Sequence, residues 1–94
     1  MNFFIVPDAQ RDLDRLYAFL LPVNPDAAAR AINLILERIW TLDQFPDHGR
    51  PAPDGARELI VKFGAGEYIV RYRHYPAEHE IKVLRIWHSR ENRA

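Results

Sequence analysis

The side chains able to do chemistry crowd into the last third of the chain. Arg71, Arg73, Lys82, Arg85 and Arg90 are threaded through two β-rich runs, Tyr68–Tyr75 and Ile81–His88, which flank a polar turn around Pro76-Ala77-Glu78. Guanidinium groups at this density can grip phosphate or carboxylate through forked hydrogen bonds. Their other role is a solvated face paired with Glu58, Glu78 and Glu80. Strand alternation puts Ile69, Arg71, Arg73 and Tyr75 on one side, and Tyr68, Val70, Tyr72 and His74 on the other. Tyr68, Val70 and Tyr72 make the better core. Arg71 and Arg73 are therefore expected on an open face, with Arg85 beside them.

Four histidines accompany the cations: His48 in a proline-rich segment, His74 near a strand end, His79 in the turn and His88 at the end of the last run. None of their spacings is that of a metal-binding helix, and the chain has no cysteine, so no metal or cofactor is expected. His88, followed at once by Ser89, Arg90 and Glu91, has the side chain of a general base. The simpler role, and the one favoured here, is to tie the strand end to a loop carbonyl. No phosphate-binding glycine loop, nucleophile elbow or paired-carboxylate site is present.

The elements that must position these residues come earlier. Asn2–Val6 reads as a short strand stopped by Pro7, which opens a helix with Asp8 and Asp12 in its first turns. Ala9, Leu13, Leu16, Tyr17 and Leu20 form one stripe of that helix, which Pro22 ends. Asn24-Pro25 pairs an N-cap residue with proline at the first helical position and starts a second helix reaching to about Gln44. Its buried face comprises Ala28, Ala31, Ile32, Ile35, Ile39 and Leu42. The short link forces the two helices into an antiparallel hairpin.

Phe45–Gly55 reads as a loop, Arg57–Phe63 as a strand, and Gly64-Ala65-Gly66 as the turn into the cationic hairpin. The order β-α-α-β-β-β gives an α+β fold, with an antiparallel sheet and an N-terminal helical hairpin packed on one face. Leu34, Trp40, Ile86 and Trp87 exceed what that packing needs and suit a protein interface.

Ninety-four residues, 48% of them hydrophobic, fit one domain spanning residues 1–94. Formal charge is zero: the first fifty residues hold five Lys/Arg against seven Asp/Glu, the rest eight against six. That tilt is too small for a nucleic-acid binder, which carries a clear basic excess. The opening residues turn acidic and helical too early for a signal peptide, and no apolar run nears the roughly 18 residues that span a bilayer. A cytoplasmic protein without membrane contact is expected.

Beyond these readings, an ordered set of motifs is similar to one family. It comprises the early D-L, the D-A-A-A-R run opening the second helix, and F-P-D-H-G-R-P. R-E-L-I-V ahead of a Y-x-x-x-Y-R strand and the closing I-K-V-L-R-I-W-H-S-R complete it. In order, spacing and length the chain resembles the RelE/ParE toxins of bacterial type II toxin–antitoxin systems, from about Phe3 to Arg90. The resemblance implies a cognate antitoxin, ParD-like or related, that folds a disordered segment around the toxin. It also implies one of two activities. RelE-like members cut mRNA in the ribosomal A site with basic side chains and often a C-terminal tyrosine, whereas ParE-like members poison DNA gyrase.

Aligned on Tyr72, the strand arginine of the mRNA cutters falls on Ile69, and one of their two lysines falls on Ile60. Lys62 and Arg90 have counterparts, but no tyrosine follows Tyr75. A nuclease would have to work with Arg71, Arg73, His88, Arg90 and Lys62. The resemblance therefore points to a ParE-like gyrase inhibitor, with an endoribonuclease or a non-toxic antitoxin-binding relative as alternatives. No catalytic residue is assigned. Arg71, Arg73, Arg85 and Arg90 are the candidate target contacts, Leu34, Trp40, Ile86 and Trp87 the candidate antitoxin contacts. Sequence-specific DNA binding by the toxin alone is not expected.

Overall fold

The computed structural model describes residues 1–91, so the last three positions of the expected domain lie outside the described residues. Strand β1 (Asn2–Ile5) leads into helix α1 (Pro7–Leu20) and helix α2 (Pro25–Trp40), followed by strands β2 (Arg50–Pro51), β3 (Arg57–Phe63), β4 (Gly66–Tyr75) and β5 (Glu80–His88). The sheet order is β1-β5-β4-β3-β2. Both helices cover one face.

Local chemistry explains the boundaries. Asn24 adopts an extended backbone, and its side chain accepts the Ala27 N–H at 3.0 Å, satisfying a donor that the first turn of α2 leaves over. Pro25 then takes the first helical position. α2 ends at Trp40, where one 3-10 turn, Thr41–Asp43, replaces the last α-turn expected from sequence and buries Leu42. Gly64 turns the chain at φ +60, a conformation that costs glycine nothing because it has no Cβ.

The core lies between helices and sheet. Ala9, Leu13 and Leu16 of α1 and Ala31, Ile35 and Ile39 of α2 meet Leu59, Val61, Tyr68, Val70, Tyr72, Ile81, Val83 and Ile86. Period-two alternation along β4 therefore places Tyr68, Val70 and Tyr72 in the core as expected, whereas on β5 it runs through Ile81 and Val83 and then shifts to Ile86. Tyr17 does not join it: the buried arc of α1 runs through Asp12 instead, and Tyr17 is exposed on the flank. On the other side of the sheet Ile69 is also buried, because Ile60 and Trp87 sit opposite it on the neighbouring strands.

The expectation of a purely antiparallel sheet is corrected at its edge. β1 pairs parallel to β5, Asn2 with Glu80 through Ile5 with Val83, so the sheet is mixed. A tight hairpin forces antiparallel pairing, but β1 reaches β5 through the whole intervening chain, and that long crossover permits the parallel direction. The proline-rich loop also contributes a two-residue strand, β2, paired with Arg57 and Glu58.

That loop is held from beneath. The Tyr72 hydroxyl accepts the Gly49 N–H at 2.9 Å and donates to the Pro46 carbonyl at 2.8 Å. Arg57 donates to the carbonyls of Asp47 and Gly49, and His74 contacts the Asp47 carboxylate at 3.1 Å. The segment Pro46–Gly49 thus has a fixed seat despite lacking regular structure.

Candidate functional site

On the sheet face away from the helices, Arg71 and Arg73 occupy the expected side. Arg71 is not free to act alone. Its Nε and Nη2 both donate to Glu58 Oε2, at 3.1 and 2.6 Å, and its guanidinium lies 5.0 Å over the Trp87 ring. Glu58 also accepts from Arg50 at 3.3 Å. Lys82 is 3.6 Å from Glu80 and 5.3 Å over Tyr75. Lys62 is exposed on this face, opposite Glu67 in the register. Most of the cations are thus already matched by acids, which is the solvated-face arrangement.

Arg73 differs. Its cross-strand neighbour is another cation, Lys82, and its Nε is buried with no hydrogen-bond acceptor among the described residues.

Arg85 does not join Arg71 and Arg73. Between Arg71/Tyr72 on β4 and Val83/Arg85 on β5 the register slips by one residue, leaving Leu84 as the extra member of a bulge. The slip sets Arg85 opposite Arg71, but past the end of β1 its side chain leaves the sheet for α1, where its Nε and Nη2 donate to Asp12 at 2.8 and 3.1 Å. Arg15 donates to the same carboxylate at 2.6 Å. Burial opposes charge on Asp12, but Arg85, the Ile86 N–H and Arg15 together outweigh it and hold the carboxyl down at about 2. Ile86, expected at a docking surface, is fully buried in the core because it faces the helices together with Val83.

At the end of β5, His88 turns to the helix side, opposite Tyr68, which it meets edge-on at 5.2 Å. Its Nδ1 accepts the Arg90 N–H at 3.1 Å, so the expected tie to a loop carbonyl is instead a tie to a loop N–H. Gly66 permits this placement: a Cβ there would meet His88 Nε2 at 2.3 Å. Glu91 accepts the His88 N–H at 2.8 Å and Arg15 Nε and Nη2 at 3.1 Å each. Arg15, Phe19, Tyr68, His88 and exposed Arg90 surround a cleft of about 420 Å³.

The five residues a nuclease would need are therefore divided. Lys62, Arg71 and Arg73 share the open face, while His88 lies behind the sheet with Tyr68. The candidate antitoxin contacts are divided as well. Leu34 and Trp40 belong to the helical layer, Leu34 half-buried against the core and Trp40 64% exposed while stacked 4.9 Å from Phe3. Trp87 is half-buried on the open face. Sequence reasoning missed the Asp12–Arg15–Glu91 network and the exposed Phe19 and Val23 near the helical turn. The cue for Asp12 was its position, three residues after Ala9 and inside the apolar arc.

Comparison with known proteins accounts for this architecture. Residues 4–93 match the family described as ParE toxin of type II toxin-antitoxin system, parDE. The chain is 47% identical over 87 residues to Toxin RelE3 of Caulobacter vibrioides, covering 93% of this chain and 92% of that protein. It is 36% identical over 85 residues to Toxin RelE1 of the same organism, covering 90% and 89%. A solved structure, the chromosomal ParDE TA system from P. aeruginosa, superimposes with a TM-score of 0.76 at 28% identity over 92% of both chains. On the fold and these relatives together, the chain belongs to the ParE toxins of the RelE/ParE family and is the toxin component of a type II toxin–antitoxin system.

Proposed function

We propose that this toxin inhibits DNA gyrase by binding it in the cytoplasm, without cutting RNA, and that its antitoxin neutralises it. The observation that carries this reading is the division of the nuclease candidates across the two sheet faces. Metal-free RNA cleavage needs a base at the 2′-OH, cations on the developing phosphorane and an acid at the leaving oxygen, all converging on one phosphate. Here His88 is behind the sheet with Nδ1 occupied, and Arg71 is neutralised by Glu58. The charge balance of zero also suits a protein target better than a ribosomal RNA surface.

A type II toxin has an antitoxin partner. The exposed apolar residues of α2, Leu36 and Trp40, offer its segment a docking stripe at helical spacing, with Leu34 at the margin. Target contacts then belong to the open face around Arg71 and Arg73, with Arg90 at the adjoining end of the sheet.

One observation favours the second reading, a ribosome-dependent endoribonuclease: among the described residues the Arg73 Nε–H on the open face has no acceptor. Induction of the toxin without antitoxin separates the two. Trapped gyrase–DNA cleavage complexes with intact mRNA support gyrase inhibition; rapid mRNA cleavage with normal supercoiling supports the nuclease.

A further inference from the structure

We infer that Arg73 is the receptor for a single carboxylate presented by a protein partner on the open face of the sheet. The inference rests on the reading that this toxin works by binding a protein. Across three strands, Phe4, Lys82 and Arg73 stand in one row: Phe4 is in register with Lys82, and Lys82 with Arg73. Like charges placed directly opposite each other in a sheet repel. Lys82 has relief from Glu80 at 3.6 Å, and Arg71 from Glu58 at 2.6 Å. Arg73 has none among the described residues, and it is half-buried with a sequestered Nε–H. A buried guanidinium donor without an acceptor is costly, and native proteins resolve it with a partner. Lys62, which faces Glu67 in the register, is exposed to water and carries no such penalty.

The surroundings select the partner. Glu58, Glu67 and Glu80 lie among the cations of this face, opposite Arg71, Lys62 and Tyr75 in the register. A phosphate polymer laid across the face would meet their repulsion repeatedly, whereas one carboxylate at Arg73 would not. Phe4, 49% exposed, and half-buried Trp87 supply apolar ground on the same face for the residues beside that carboxylate. The partner is therefore an acidic residue flanked by apolar ones.

The test follows the Arg73 Nε–H resonance, assigned by its loss in Arg73→Lys, in full-length toxin labelled with ¹⁵N-arginine. The probes are a capped heptapeptide with one glutamate among leucines, its glutamine counterpart, and a ten-nucleotide single-stranded RNA. The expected result is a saturable shift with the glutamate peptide and one at least fivefold weaker with the glutamine peptide; calorimetric titration of the glutamate peptide should give an affinity at least fivefold lower in Arg73→Gln but unchanged in Lys62→Gln. Equal response to both peptides, saturation by RNA alone, or an unmoved Arg73 resonance overturns the inference. Loss of gyrase inhibition as a property of the wild-type toxin, with the peptide response intact, would defeat the gyrase reading and leave this one standing.

Discussion

The Asp12 carboxylate does for Ile86 what a neighbouring strand would otherwise do. β1 ends at Ile5, opposite Val83, so beyond that point β5 has no strand on its outer side. Asp12 Oδ2 accepts the Ile86 N–H at 2.8 Å, and Arg15 Nη2 donates to the Ile86 carbonyl at 3.3 Å. Helix α1 thereby closes the sheet edge with two side chains. Asp12 is 2% exposed, so its charge is stabilised by these partners rather than by water.

Removing that carboxylate leaves the Ile86 N–H buried without an acceptor and two arginines without their shared anion. Asp12→Ala should cost about 3 kcal/mol of folding stability. Asp14→Ala, on the exposed side of the same helix, should stay within about 0.5 kcal/mol. Urea denaturation of both variants checks this, and a loss below about 1 kcal/mol for Asp12→Ala would show that the edge is held by something else.

Asp12 also sets an acid limit. Its folded value of about 2 lies below the ordinary 3.8, so its contribution is fully present above pH about 4. As pH falls from about 4 through 2 the folded state must take up a proton it resists, and about 2 kcal/mol is lost. Stability measured against pH should fall across that window in the wild type. In Asp12→Asn the fall should be shallower by about that amount.

Gly66 and His88 are coupled by space. Gly66→Ala drives a methyl group into the imidazole, which Tyr68 and the Arg90 N–H hold in place, and should destabilise by about 1–3 kcal/mol. In the double variant with His88→Ala the added methyl meets no ring, so the alanine at position 66 should cost at least about 1 kcal/mol less there. Additive losses in this cycle would mean that Gly66 matters for its backbone, not for the histidine.

Trp40 tests whether the proposed antitoxin and target surfaces are separate. Because it is largely exposed, Trp40→Ala should leave the fold within about 1 kcal/mol of wild type while weakening antitoxin affinity at least tenfold. Gyrase inhibition should be unchanged. Calorimetric titration of the antitoxin, alongside a thermal melt, reads both; parallel loss of antitoxin and gyrase binding would merge the surfaces into one.

The regular parts of this fold were legible because their signals are local. Asn24-Pro25 announced its helix by capping chemistry, and the alternation of Tyr68, Val70 and Tyr72 assigned the inner face of β4 without reference to any other strand. What stayed hidden depends on register. The bulge at Leu84 brings Ile86 opposite Val70 and into the core, and no composition rule announces a one-residue slip. The parallel direction of β1 likewise depends on a crossover through most of the chain. Asp12 was visible only as an acid within an apolar arc, and its partners Arg85 and Ile86 lie more than seventy residues away.

Action on gyrase by binding, as proposed above, can be measured with purified components. Its most direct test adds the purified toxin to purified gyrase and relaxed plasmid, with a parallel reaction on translating ribosomes and a defined mRNA. Expected are concentration-dependent loss of supercoiling, reversed by antitoxin, and an uncut message at the same toxin concentrations. A cut message beside undiminished supercoiling would contradict it and return Arg73 to the chemistry of RNA.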